Sequence, residues 1–126
     1  MFEPLKSFTD LIVWQKAHEF VLEVYKVTRD YPMEERFALC SQFQRAAVSI
    51  PANIAEGYKI LSKADKLRFL NISQGSLEEC RYYIILSRDL SYISVKTNNE
   101  LTGTLEEVSK LLNSYIRGVM SKQFVE

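Results

Sequence analysis

Glycine and proline are scarce in this 126-residue chain, with four Gly and three Pro. Few turns can therefore be built, and most of the chain must run in long regular elements. Cysteine is limited to Cys40 and Cys80, with no C-x-x-C pair and no metal-ligand spacing. Both sit in apolar surroundings and read as small buried side chains in a reducing compartment. A single histidine, His18, leaves little room for a Ser-His-Asp or Cys-His centre and none for the paired E-x-x-H motifs of a di-metal bundle. No G-x-G-x-x-G or Walker sequence is present. No catalytic, cofactor-binding or metal-binding residue is therefore assigned. An enzyme built on paired carboxylates and the polar groups Arg45, Asn53, Glu56 and Glu79 is the remaining catalytic reading, and the less favoured one. Long hydrophobic runs are also missing. The longest, Leu11–Trp14 and Tyr82–Leu86, fall far short of the ~20 residues of a membrane span. Residues 1–10 lack a basic segment followed by an apolar core, so no signal peptide is expected. A soluble, cytoplasmic protein follows. Net charge is absent as well, with 16 Lys+Arg against 16 Asp+Glu, which excludes a uniformly basic surface.

What is present is helical periodicity. Val13, Ala17, Phe20, Val24 and Val27 recur at the spacing of one helix face, widened by Trp14, Val21 and Tyr25. This first helix spans about residues 10–30 and stops at Tyr31-Pro32. A second starts at Pro32-Met33-Glu34-Glu35, spans about 33–56, carries Pro51 inside it and ends at Gly57 as the residue after its C-cap. The third spans about 63–91. Its Ser62-Lys-Ala-Asp65 start resembles a capping box, and its core face is Leu67, Leu70, Leu77, Cys80 and Ile84. Ser73-Gln-Gly-Ser76 interrupts that face with small residues suited to close helix approach. The fourth spans about 98–120, with Thr97 and Glu100 as a capping box and Leu101, Leu105, Val108, Leu112, Tyr115 and Val119 as a heptad seam. Residues past Met120 are expected to fray. Four helices of roughly 30–45 Å with short connections make one all-α domain over 1–126, an up-down-up-down four-helix bundle.

The second helix carries the most information. Gln42, Arg45, Ser49, Asn53 and Glu56 form one polar stripe, while the rest of the helix is apolar or small. A helix apolar nearly all round is covered on more than one side, and self-association is the simplest cover. The stripe then lies at a bundle seam or subunit contact, where Arg45 and Glu56 need partners such as Glu78, Glu79 or Arg81. A second feature is the basic segment Lys59, Lys63, Lys66 and Arg68, opposed by Asp65 alone, a local charge of +3 (four bases minus one acid). With helix N–H groups beside it and Tyr58 and Phe69 nearby, it is a candidate phosphate contact.

Several segments carry a family resemblance. They are Asp10-Leu11-x-Val13-Trp14-Gln15-Lys16-Ala17, Tyr31-Pro32-x-Glu34, Leu39-x-Ser41-Gln42, the unbroken run Arg45-Ala-Ala-Val-Ser-Ile-Pro-Ala-Asn-Ile-Ala-Glu-Gly57, and Gly75-Ser76-x-x-Glu79. Together they resemble the bacterial four-helix-bundle family also called 23S rRNA intervening-sequence proteins. The resemblance implies an up-down bundle, a ring-like homo-oligomer of five copies, and no transferable catalytic residues. It also brings in, as a relative, the accessory protein of diversity-generating retroelements, a basic pentameric barrel that binds nucleic acid and a reverse transcriptase. This chain departs from that relative in its zero net charge. The implied partners are further copies of the chain, RNA or DNA bound weakly, and, as an alternative, a protein encoded nearby for which the chain is an adaptor.

Overall fold

The computed structural model describes residues 5–122. Residues 1–4 and 123–126 lie outside it, and with them most of the expected C-terminal fraying. The described residues contain helices and turns and no strand. Four long helices follow one another: α1 (Ile12–Thr28), α2 (Leu39–Tyr58), α3 (Lys63–Asp89) and α4 (Val95–Ser121), with short 3₁₀ turns at Phe8–Asp10 and Met33–Glu35.

Each helix packs on two neighbours, α1 and α3 both lying between α2 and α4. The expected stripes meet in one core, in which Phe20, Val24, Phe43, Ile50, Ile54, Leu70, Leu101, Leu105, Val108 and Leu112 are almost fully buried. Phe43 is flanked by Phe20 and Tyr83, with ring centres 6.5 and 5.9 Å away, distances at which aromatic pairs gain beyond area burial. The α2–α3 contact is the most extensive, because small residues line it. Ala46, Ala47, Gly57, Ser73 and Ser76 are all buried. A Cβ on Gly57 would lie 3.2 Å from Phe69 Cβ.

Three boundaries differ from the sequence expectation. The second helix begins at Leu39 rather than residue 33, because residues 33–35 form a 3₁₀ turn and Ala38 (φ −117°, ψ −103°) leaves the helical region. Glu35 explains the break. Its carboxylate accepts the Leu39 N–H (3.3 Å) and the Tyr92 hydroxyl (2.8 Å), so it satisfies the new helix start. At the other end, α2 continues through Gly57 to Tyr58. Gly57 serves close approach to α3 and not a left-handed cap. The fourth helix starts at Val95, with Ser94 as N-cap accepting the Thr97 N–H at 3.0 Å. Ser62 caps α3 as expected, while Asp65 is 3.9 Å from Arg68.

Around the 33–35 turn a small second cluster gathers Tyr31, Leu39 and Cys40 against Tyr83, Tyr92 and Ile93. The Tyr31 hydroxyl bonds Ser87 Oγ at 2.7 Å. Burial raises the pKa of this phenol and of the Cys40 thiol.

Candidate functional site

The α2 stripe faces outward beside the α2–α3 seam. Gln42, Arg45 and Glu56 are exposed, and Ser49 and Asn53 are half-buried. The half-buried pair is held by a local network. Asn53 Nδ2 donates to Ser49 O (2.8 Å) and lies 3.0 Å from Ser49 Oγ, which is itself 2.7 Å from Ser76 Oγ on α3. One turn further along, Ser73, completely buried, donates to the Ile50 carbonyl at 2.9 Å. Thus Asn53 and Ser49 are oriented by α3, while Arg45 and Glu56 make no ion pair among the described residues.

The partners expected across the seam are turned elsewhere. Arg81 pairs with Glu78 at 3.2 Å and with Glu106 of α4, so both Glu78 and Arg81 belong to the α3–α4 side. Glu79 is exposed on α3 and makes no ion pair among the described residues. The outer α2 face also carries Val48, 40% exposed, and the exposed Ala52. A single chain therefore leaves small, apolar and oppositely charged groups of α2 open. The sequence reading passed over Ser73 and Ser76 as bonding partners. Their i, i+3 spacing on the α2-facing side of α3 was the available signal.

Folding engages three of the four bases of the 59–68 segment. Lys66 is buried, with Nζ donating to the Tyr58 carbonyl at 2.7 Å and lying 5.8 Å from the Tyr58 ring centre. Burial and the nearby Lys122 charge lower its pKa. Lys63 reaches the Met120 carbonyl at the end of α4. Arg68 stacks 4.8 Å from the Phe69 ring and faces Asp65. Lys59 is exposed. The four positive charges thus do not form one open patch.

The other chemically notable side chains are engaged in packing. His18 is exposed and stacked on Trp14, with ring centres 5.0 Å apart and planes within 10°. Cys40 and Cys80 are buried free thiols, and burial raises the pKa of Cys80 strongly. Among the described residues no three His, Cys, Asp or Glu side chains group as a metal site, and no helix is long and apolar enough to cross a membrane.

The fold and its open seam define the class: an all-α four-helix protein whose second helix is half core and half unpartnered surface. Residues 9–114 match the family model of the 23S rRNA-intervening sequence protein, and the chain belongs to that family. It is also similar to a solved protein of unknown function from the S23 ribosomal protein family of Bacteroides thetaiotaomicron VPI-5482. The two are 29% identical, with a TM-score of 0.77 over 84% of this chain and 96% of that one. No curated protein matches the chain.

Proposed function

We propose that this protein is a non-catalytic, self-assembling helical bundle of up-down-up-down topology that works as a nucleic-acid-associated scaffold. The observation that carries self-assembly is the outer face of α2. Val48 and Ala52 lie open between Arg45 and Glu56, which lack ion-pair partners among the described residues, and α3 holds the half-buried Asn53 and Ser49 in place. Small side chains allow a neighbouring helix to approach closely, and two unpaired charges of opposite sign set its register. The topology is supported by residue pairs that run in opposite order along neighbouring helices: Ser49 with Ser76 and Tyr58 with Lys66 between α2 and α3, and Lys16 with Glu107 and Glu23 with Thr104 between α1 and α4. A ring of five copies is the assembly that the family resemblance suggests. Nucleic-acid association draws on the same family membership.

Light scattering coupled to size exclusion tests the assembly. A mass several times 14.6 kDa is expected at micromolar concentration, and a monomer would overturn the reading. Arg45→Ala or Asn53→Leu should reduce the assembled fraction, whereas Lys63→Ala, whose ammonium already bonds within the chain, should not. Equal fractions in all three variants would remove the seam from the interface.

A further inference from the structure

The most open apolar side chains of the described residues include Phe37, 88% exposed, and Met33, 81% exposed. Both stand on the connection between α1 and α2, which is fixed and not loose. Its Glu35 carboxylate is held by Tyr92 and the Leu39 N–H, and Tyr31 beside it is anchored to Ser87. Against this connection lies a cavity of about 540 Å³ lined by Tyr25, Arg29, Arg36, Phe37, Ser41 and Gln44, among others. Its volume falls in the range of small-ligand sites, roughly 300–1,000 Å³. A shallower groove of about 400 Å³ continues from it along α1 and α2 past Tyr25 and Gln44 to Arg45.

The charge pattern here is one-sided. No lining residue of either hollow is acidic, in a chain with 16 carboxylates. Two nearby acids are engaged elsewhere: Glu35 accepts from Tyr92, and Asp30 lines a separate cavity with Glu23 and Lys26. Arg29 and Arg36 make no ion pair among the described residues, and both are exposed. The Arg36 guanidinium sits 5.4 Å from the Phe37 ring centre. Tyr25, 42% exposed, supplies a second ring, and Gln44, whose amide donates to Thr28 Oγ1 at 3.0 Å, presents a fixed polar edge.

We infer that this acid-free hollow is a binding site for a single-stranded polynucleotide, with a base stacked on Phe37 or Tyr25 and flanking phosphates on Arg29 and Arg36. The inference rests on the nucleic-acid association proposed above and places it at the opposite end of α2 from the 59–68 segment, where Lys66 is buried. Guanidinium groups bind phosphate bidentately, and exposed rings stack on bases of any sequence. The rings favour a single strand over a duplex, whose bases are already stacked. They also favour it over an acidic peptide, which would engage the arginines and leave the Phe37 ring without a role. Holding the ring on a braced turn reduces the ordering cost of binding.

Fluorescence anisotropy with labelled single-stranded RNA and DNA oligonucleotides of one mixed sequence, over a salt series, tests the site. The Arg29→Ala/Arg36→Ala double variant should bind at least about tenfold more weakly and lower the salt slope by about 1.4, roughly 0.7 per phosphate contact. Phe37→Ala should weaken binding about tenfold, within the usual worth of one stacked base, and its exposed position leaves folding intact. Lys59→Ala should change affinity less than about twofold. The same sequence as a duplex should bind more weakly. RNA and DNA arms that differ name the preferred sugar, and either preference supports the site. Wild-type binding that the Arg29/Arg36 variant leaves unchanged would overturn this site and leave nucleic-acid association standing. No binding of either strand at about 50 mM salt would overturn both. Poly-glutamate binding as tightly as the oligonucleotides would assign the hollow to an acidic protein partner. A changed scattering mass for Phe37→Ala would assign it to contact between copies. Either result overturns the proposal.

Discussion

Ser91 ends α3 in a left-handed conformation, φ 63°, and is the one non-glycine residue at positive φ among the described residues. The Ser91 N–H reaches the Arg88 carbonyl at 3.0 Å and the Tyr92 N–H the Ser87 carbonyl at 2.9 Å, a Schellman ending that normally falls to glycine. A serine there bears a steric cost that glycine avoids. Ser91→Gly is expected to stabilise the chain by about 0.5–1 kcal/mol, the roughly 1–2 kcal/mol cost of the left-handed conformation less an entropic cost of about 0.4–1 kcal/mol for a glycine, read as a higher denaturation midpoint; a lower midpoint would contradict the strain argument. Glu23 is a second costly residue. Its Oε1 accepts from Thr104 at 2.9 Å, but Oε2 is buried without a partner. Burial raises its pKa above the ordinary 4.5, opposed by the Thr104 bond and assisted by the charges of Glu19 and Glu100. A carboxyl whose folded pKa is raised binds its proton more tightly when folded, so stability is lost as pH rises from about the unfolded value through the folded one. Glu23→Gln should therefore melt higher than wild type at pH 7, by a few degrees for about 1 kcal/mol. The difference should shrink below pH 4.5, the ordinary carboxyl value. A pH-independent difference would point to packing instead of ionisation.

At the scale of elements, two glycines separate two kinds of helix contact. Gly57 is pressed against α3, where an added Cβ would lie 3.2 Å from Phe69 Cβ and 3.6 Å from the Lys66 carbonyl. Gly57→Ala gains about 1 kcal/mol of helix propensity but crowds a well-packed seam, at about 1–3 kcal/mol, so a net loss near 1 kcal/mol is expected in chemical denaturation. Gly75 is the opposite case: it is exposed, and a Cβ added there would meet no neighbouring element within 4 Å. Gly75→Ala should stabilise the isolated chain by close to the full ~1 kcal/mol of propensity. If the same substitution lowers the assembled mass, α3 joins α2 in the contact between copies. An unchanged mass confines that contact to other faces.

For the whole molecule, zero net charge conceals a separation of charge. Three of the four bases at 59–68 are engaged within the chain, Lys66 by Tyr58, Lys63 by Met120 and Arg68 by Phe69 and Asp65, whereas Arg29 and Arg36 stand beside a hollow with no acidic lining. The outer α2 face is likewise unfinished in one chain. Since a partner that binds only folded chains stabilises them by mass action, the thermal midpoint of the wild type should climb with protein concentration. A midpoint that stays constant across a hundredfold dilution series, about 2.7 kcal/mol of linkage at most, would argue that α2 is left bare.

Hydrophobic spacing by itself determined four helices, their faces and most of the core: the stripes through Val13–Val24, Leu70–Ile84 and Leu101–Val119 bury as their periods require, because a helix has one face to hide. The family motif on α2 was equally legible, since it is a contiguous run. The remainder depended on atoms brought together from distant positions. Glu35 breaks the start of α2 by bonding Tyr92, 57 residues away, and no local propensity encodes that. Lys66 reads in the sequence as part of a candidate phosphate contact, but the α2–α3 approach buries it. Arg29 and Arg36 carried no signal beside acidic neighbours in sequence. Only the tertiary fold turned Asp30 and Glu35 to other sides and left the arginines around one hollow, because charge along a chain is a sum and charge at a surface is a direction.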